Sequence, residues 1–467
     1  MKKRAVSLDV LRGLAIVGMV LSATIGGGLP AWMHHAQEPP PTFAYDSQIS
    51  GITWVDLVFP LFLFAMGAAF PMSVGKRLSR GESRRSVAAD ILKRGVKLAF
   101  FSVYVQHFYP YMLCPDGGWY AWGWAIVAFL LLFPMFMRIP YAVSDRVKQL
   151  IKLSAYTAGV VLLLCVKDAG DVPFTPTVNN PILLILAYMA VLGGLSYLFT
   201  ARDRRTRILI IVLVAALSAG TTVEGSWQQN LNAWCPLPGL YQFDYVKYLL
   251  IVLPGSFAGE WLLEWTSLSE GSCKVSGADK LVDSVMLIVA LALAVSNVTC
   301  LYLHLDLLNA CLSLLFIVTG NIALRFGADT DMLKRRLWQL ASLLLALGLL
   351  LQPLQGGVKK DPPTLGYLFV TAAIGCAMLL VFHVLCDRWN VERPLCFMSM
   401  SGQNPMVAYV ACDLLIMPVL NIFGLLSPLF AFFAQNAWLG LLQGIFLTSL
   451  TIGVTMFFSR IRWYWRT

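Results

Sequence analysis

The sequence predicts an all-α polytopic membrane protein, one bundle of about 11–14 transmembrane helices without a soluble domain. Three observations predict it. The chain is 58% hydrophobic and 13% charged, about half the charge fraction of a soluble protein of this size. Apolar runs of about 20 residues, each long enough to cross a bilayer, recur from one end to the other. Lys and Arg gather in alternate loops, as the positive-inside rule expects. Residues 1–467 are therefore read as a single transmembrane domain.

The first run, AVSLDVLRGLAIVGMVLSATIGGG, follows a basic start but has no clear small-x-small cleavage site before a polar region. It is expected as a retained helix near 9–27 rather than a signal peptide. Spans follow near 53–75, 95–113, 119–137, 153–166, 182–200, 208–222, 244–263, 283–302, 307–324, 337–352, 366–386, 404–422 and 437–458. The 153–166 run is short, and 307–324 follows a tight turn. Basic clusters at Lys2–Arg4, Lys76–Lys97, Arg138–Lys152, Arg202–Arg207, Lys274–Lys280, Arg325–Arg336, Arg388–Arg393 and Arg460–Arg466 mark one side of the membrane. The loops between them are nearly free of Lys and Arg, apart from Lys359 and Lys360 in 353–365. This alternation places both termini in the cytoplasm and loop 28–52 outside.

Topology also accounts for the net charge of +10, which is scattered over many loops rather than gathered in one domain. That pattern argues against a nucleic-acid partner. The ten cysteines are dispersed, without the pairing or His/Cys clustering of a metal centre. Cys114 and Cys235 fall in outside loops, where an oxidising compartment permits a disulfide.

Ionisable groups at a membrane edge are costly and usually have a task. Asp56 lies about one turn inside the span that begins GITWVDLVFPLFLFAMG. Just before it, the loop GLPAWMHHAQEPPPTFAYDSQIS carries His34 and His35, two of the five histidines, with Glu38 and Asp46 nearby. Neutral imidazole serves as a base or nucleophile near neutral pH. Asp56 has a plainer alternative as the partner of a buried donor such as His107 or Lys360. At the other end of the first span, Asp9 and Arg12 are spaced to pair on one helix face, and Arg12 is also placed to hold an anion. Asn404-Pro405 reads equally as an ordinary helix start, with Asn as N-cap and Pro in the first turn.

These segments together resemble a known family. SLDVLRGLAIVGMVL, then GGG, then HHA, then GITWVDLVFPLFLFAMG, is similar to the start of the heparan-α-glucosaminide N-acetyltransferase family and its bacterial relatives, a branch of the transmembrane acyltransferases. A later block, VKK followed by SGQNPMVAYV, resembles that family's lysine-containing loop and its G-M-N stretch. The resemblance covers about 130 residues at the two ends, and the middle of the chain matches only as generic membrane helix. It implies His35 as the histidine that handles the acetyl group, ahead of His34, with Asp56, Lys360 and Asn404 on family positions. Departures are present: Ser22 or Thr24 stands where the family has an asparagine, Lys359 where it has asparagine before the lysine, and about ten extra residues separate His35 from the GITWVD motif.

On this reading the chain is an acetyl-CoA-dependent transferase of the bacterial inner membrane. Its catalytic residues are His35 and Asp56, with His34 beside them. Arg12, Lys76, Arg77, Arg94 and Asn404 hold the donor, and Trp32 and Lys360 bind the acceptor. No metal is expected. The acceptor is an amino or hydroxyl group of an outside-facing sugar or glycan, the other partners are membrane lipids, and a homodimer is left open. A multispan carrier or flippase for a sugar or lipid-linked glycan, or an inactive glycan-binding relative, is the alternative.

Overall fold

Short polar side chains start most of the long helices, each accepting a backbone N–H that the first turn leaves unpaired. Ser83, Ser144, Asn180, Asp203, Asp331, Thr364 and Asn436 all do so. The computed structural model describes residues 5–140, 142–167, 174–268, 277–326 and 331–466. The basic residues Lys2–Arg4 and Lys274, and residues 168–173 of the 167–181 loop, lie outside these.

The principal helices are α1 (Val6–Thr24), α2 (Val58–Phe70), α3 (Arg84–Phe108), α4 (Trp119–Phe136), α5 (Asp145–Cys165), α6 (Pro181–Thr200), α7 (Arg204–Gly220), α8 (Leu249–Leu268), α9 (Gly277–Tyr302), α10 (Asp306–Phe326), α11 (Met332–Leu351), α12 (Leu365–Phe382), α13 (Cys396–Gln403), α14 (Pro405–Ala411) and α15 (Ala437–Arg460). Among the described residues there is no strand, only the isolated bridges Met137–Trp465 and Leu237–Tyr241. Among the described residues twelve helical segments are long and apolar enough to cross a membrane. The chain is an all-α polytopic membrane protein.

Two expected spans fall outside those twelve. The span expected at 95–113 belongs to α3, which begins at Arg84 because Ser83 caps it there, and whose first turns carry Arg84, Arg85, Lys93 and Arg94. The span expected at 208–222 is α7, which has 17 residues and opens on Arg204-Arg205-Thr206-Arg207. The 153–166 span proves longer: α5 starts at Asp145 on the Ser144 cap. Cys114 and Cys235 are free thiols, their Sγ atoms directed at the carbonyls of Gly117 and Tyr241.

Helix α2, which follows Asp56, is buried along nearly its whole length. It lies against α8 and α12. Gly255 and Gly259 of α8 form a G-x-x-x-G stripe against the α2 backbone, where an added Cβ would lie only 2.3 Å from Phe64 O and 2.1 Å from Ala68 O. Small residues that let backbones approach are the usual means of helix association where lipid gives no hydrophobic drive.

A buried ionic network lies near the Arg12 end of the bundle. Arg388 donates to Asp283 (2.6 Å) and Asp331 (3.0 Å), and Lys334 donates to Asp283 (2.7 Å). His383 lies 3.1 Å from both Asp331 and Asp387. Asp387 also accepts from the first backbone amides of α1, Val6 N (3.2 Å) and Ser7 N (3.4 Å). Buried charges of this kind are tolerated only as paired and hydrogen-bonded sets.

Gly259→Leu is expected to force α8 from α2 and destabilise the protein by about 1–3 kcal/mol or more, read as a lower midpoint in detergent thermal unfolding. Gly453→Leu, where an added side chain meets nothing within 4 Å, is the matched control and is expected to leave the midpoint unchanged.

Candidate active site

The second span is entered through a tight 3-10 turn, Val55–Leu57. Thr53 begins it. Its hydroxyl accepts from Val55 N (3.3 Å), and Asp56 Oδ2 reaches back to accept from Thr53 N (3.0 Å). This is the reciprocal arrangement of a capping box, and it fixes the Asp56 carboxylate at the edge of the span. Gly51, at φ 103°, turns the chain into this motif and donates from its N–H to Val358 O (2.8 Å).

The carboxylate of Asp56, 2% exposed, then organises the loop before it. Its Oδ1 lies 2.7 Å from His35 Nδ1, and its Oδ2 accepts from Ala36 N (3.2 Å). Two consecutive residues therefore close on one carboxylate, which sets the position of the imidazole. The Asp56 backbone carbonyl accepts from the hydroxyl of buried Tyr367 on α12 (2.8 Å).

Lys360 comes to the same place from the loop before α12. Its Nζ is 2.9 Å from His35 Nδ1, 3.2 Å from Nε2 and 3.8 Å from Asp56 Oδ1. With Nδ1–H donated to Asp56, only Nε2 can accept from the ammonium. The arrangement Asp56–His35–Lys360 thus puts the ring's lone pair at Nε2, beside the Lys360 ammonium. Desolvation lowers the Lys360 pKa from the ordinary ammonium value, while the carboxylates of Asp56, Glu38 and Asp361 oppose that shift. The lysine loop is itself held to the histidine loop: Asp361 N donates to Gln37 Oε1 (2.9 Å), Tyr45 Oη to Asp361 O (2.7 Å) and Lys359 Nζ to Ser47 O (3.0 Å).

His34 turns away from this group. Its ring stands edge-on to Phe43 at 5.0 Å, and its carbonyl accepts from Thr53 Oγ1 (2.7 Å). Desolvation and then the charge of neighbouring His35 lower its pKa from the ordinary imidazole value. The Nε2 of His107 lies 2.9 Å from Thr175 O. Trp32, 47% exposed, stands on a short 3-10 turn before the histidines.

His35 and Lys360 open onto a cavity of about 700 Å³ walled by α1, α2, α6, α14 and the loop before α8, with Thr24, Phe59, Ile185, Tyr248, Tyr367 and Asp413 among its lining residues. A narrow apolar recess of about 30 Å³ continues from it along the helices, sharing Met19, Phe59, Ile182 and Tyr409 with the cavity and reaching Ile16, Phe62 and Met406. Met406 lies just beyond Asn404 and Gly402, and Gly402 O accepts from Arg12 Nη1 (3.2 Å).

Arg12 and Arg94 belong to one electropositive group there, to which the C-terminal segment adds Arg466. The Nε of Arg94 is buried without a hydrogen-bond partner among the described residues. Arg12 also lies 3.7 Å from Asp9. Asn404 commits its amide to the same C-terminal segment, donating to Trp463 O (3.1 Å) and accepting from Trp465 N (3.1 Å). Arg77 is taken up by Glu82 and Asp90, each at 2.7 Å. Lys76 lines a separate cavity of about 550 Å³ with Tyr197, Arg202, Arg204, Glu260 and Glu264.

Sequence reasoning missed Thr53, Tyr367, Asp413 and Arg466. The T-x-x-D spacing of Thr53 and Asp56 was a signal for the first. Tyr367, Asp413 and Arg466 reach their places through tertiary packing, without a local pattern.

Fold and site together define an integral membrane protein with a carboxylate-oriented histidine at one end of an intramembrane cavity. The chain belongs to the family described as "Domain of unknown function (DUF5009)", which matches residues 4–262, more than half of its length. It is also distantly related to heparan-alpha-glucosaminide N-acetyltransferase of Mus musculus, at 34% identity over 98 residues. That stretch is 21% of this chain and 13% of the mouse protein. The match thus spans a small fraction of that relative.

Asp56→Ala is expected to destabilise the protein by about 3–5 kcal/mol, as removal of one member of a buried charged set does, and to expose loop 28–50 to limited proteolysis. Lys360→Met, removing an ammonium that is 32% exposed, is expected to change stability by about 1 kcal/mol or less.

Proposed function

We propose that the protein is a transmembrane acetyltransferase that moves an acetyl group from acetyl-CoA in the cytoplasm to an amino or hydroxyl group of a sugar or glycan outside. The observation that carries this reading is the placing of His35, oriented by Asp56 and touched by Lys360, at one end of a cavity whose other end narrows toward Arg12, Arg94 and Arg466. The distant likeness to a membrane N-acetyltransferase supports the same chemistry.

The chain's residues fit such a donor. Arg94 and Arg12 would hold its phosphates with charge-assisted hydrogen bonds, and the unpartnered Nε of Arg94 is the group that most needs an anion. The apolar recess would admit the arm once Met19 and Met406 move aside, as flexible thioether side chains readily do. His35 Nε2 would take the proton from the acceptor as the new bond to the acetyl carbon forms. The carbon–sulfur bond breaks, and the proton passes to the departing sulfur, leaving a thiol. Attack by Nε2 itself, with an acetyl-imidazole as intermediate, uses the same atoms in two steps. Asp56 serves either route by holding Nδ1–H and stabilising the imidazolium, and Lys360 would face the oxygen that gains charge.

His35→Ala is expected to lower transfer by about 10²–10⁴-fold while leaving acetyl-CoA binding near wild type, and His34→Ala to retain most activity. Full activity in the double variant, or substrate movement into vesicles without acetyl-CoA, would put the carrier reading ahead. Arg94→Ala is expected to weaken acetyl-CoA binding about ten-fold or more by titration calorimetry without altering acceptor affinity. An unchanged affinity would remove Arg94 from the donor site.

A further inference from the structure

One ionisable side chain of the cavity has no task in the mechanism above. Asp413 lies in the Pro405–Ile422 span and lines the same cavity as His35 and Lys360. Among the described residues no hydrogen bond or ion pair reaches its carboxyl, and the side chain is partly buried. An acid inside a membrane span is rare and costly, and where it faces a cavity it ordinarily serves a ligand or a pathway. The other acids of the cavity are placed differently: Asp244 is paired with Lys247, and Asp361 stands on the loop beside Lys360.

Position narrows the ligand. Tyr409 lines both the cavity and the apolar recess, and Asp413, four residues on, lines the cavity alone. Asp413 therefore sits about one helical turn closer to His35 than the neck does. The Tyr409 hydroxyl is donated to Asn180 Oδ1 (3.2 Å). An acyl-CoA arm entering through the recess carries amide N–H groups past side chains that, Tyr409 apart, are wholly apolar. An amide N–H removed from water needs an acceptor. Where the recess opens, the Asp413 carboxyl is the acceptor without another partner.

We infer that Asp413 is the donor-arm residue of this site: it accepts the amide N–H nearest the thioester, which an ethylene link joins to the sulfur, and so holds the thioester carbon within reach of His35. The inference rests on the acetyltransferase reading. It deepens that reading by assigning recognition of the arm to an acid within the membrane, separate from the arginines that would meet the phosphates.

The test measures KM for donor and acceptor separately in Asp413→Leu, which is apolar and close in size, and in Asp413→Asn, whose side-chain oxygen still accepts. Asp413→Leu is expected to raise KM for acetyl-CoA about ten-fold or more with acceptor KM unchanged, and Asp413→Asn to stay within a few-fold of wild type. A pair of small donors isolates the bond itself: S-acetyl-N-acetylcysteamine and its analogue with oxygen in place of the amide NH. Wild type is expected to prefer the amide, and Asp413→Leu to lose that preference. A wild type that treats the two alike, an unchanged donor KM in Asp413→Leu, or a rise confined to the acceptor would overturn the assignment, the last moving Asp413 to the acceptor. A wild type that neither binds nor uses acetyl-CoA would instead sink the acetyltransferase reading.

Discussion

A carboxylate at the edge of an apolar span is stable only if the protein supplies what water would have supplied. Asp56 obtains this from the backbone amides of Thr53 and Ala36, from the imidazole of His35 and from the nearby Lys360 ammonium. The loop before the span, the turn that opens it and the loop before α12 are thereby drawn to one point. Remove the charge and each of these segments loses its reason to be where it is. The histidine's orientation is in this sense a by-product of solvating an acid, which is why it can be so exact without a rigid scaffold of strands beneath it.

The second constraint is separation. From Arg12 to Thr24, α1 rises about 18 Å, so the arginine group and the histidine cannot act on the same small molecule at one place. A long, thin ligand with charge at one end and a reactive group at the other matches that spacing. The wall between the two ends is built from α1, α2, α6 and α14, the helices that line both cavity and recess. Their close contacts bear on chemistry as well as on stability, because a small change in how they pack would open or shut the recess.

Much of this was legible in the chain. Hydropathy and charge located twelve spans, most of them to within a few residues, with the start of α5 disguised by its basic first turns, and also proposed 95–113 and 208–222, which fall outside the twelve. The pairing of His35 with Asp56 could be suspected, since both sit at the boundary of one span and in one recognisable segment. Lys360 was suspected because the resemblance puts it on a family position, and its ammonium meets the histidine. Other residues could not be read in this way. Arg77 looks like a free cation until the fold brings Glu82 and Asp90 to it, and Asn404 looks like a helix cap but holds the C-terminal segment. Periodicity reports which face of a helix is apolar; it does not report which distant helix that face will meet.

The ionic network at the Arg12 end bears on how the chain can be assembled. The first amides of α1 are held by Asp387, some 380 positions later in the chain. Helix α1 enters the membrane early in synthesis, yet its final seat exists only after α12 has been made. Until then it rests against provisional neighbours, with Arg12 and the histidine loop unsettled. The stretch matched by the family, residues 4–262, therefore contains neither the anchor of its own first helix nor the lysine that meets its histidine. The contacts of α1 with Asp387 and of His35 with Lys360 are complete only when the far half of the chain returns to the start.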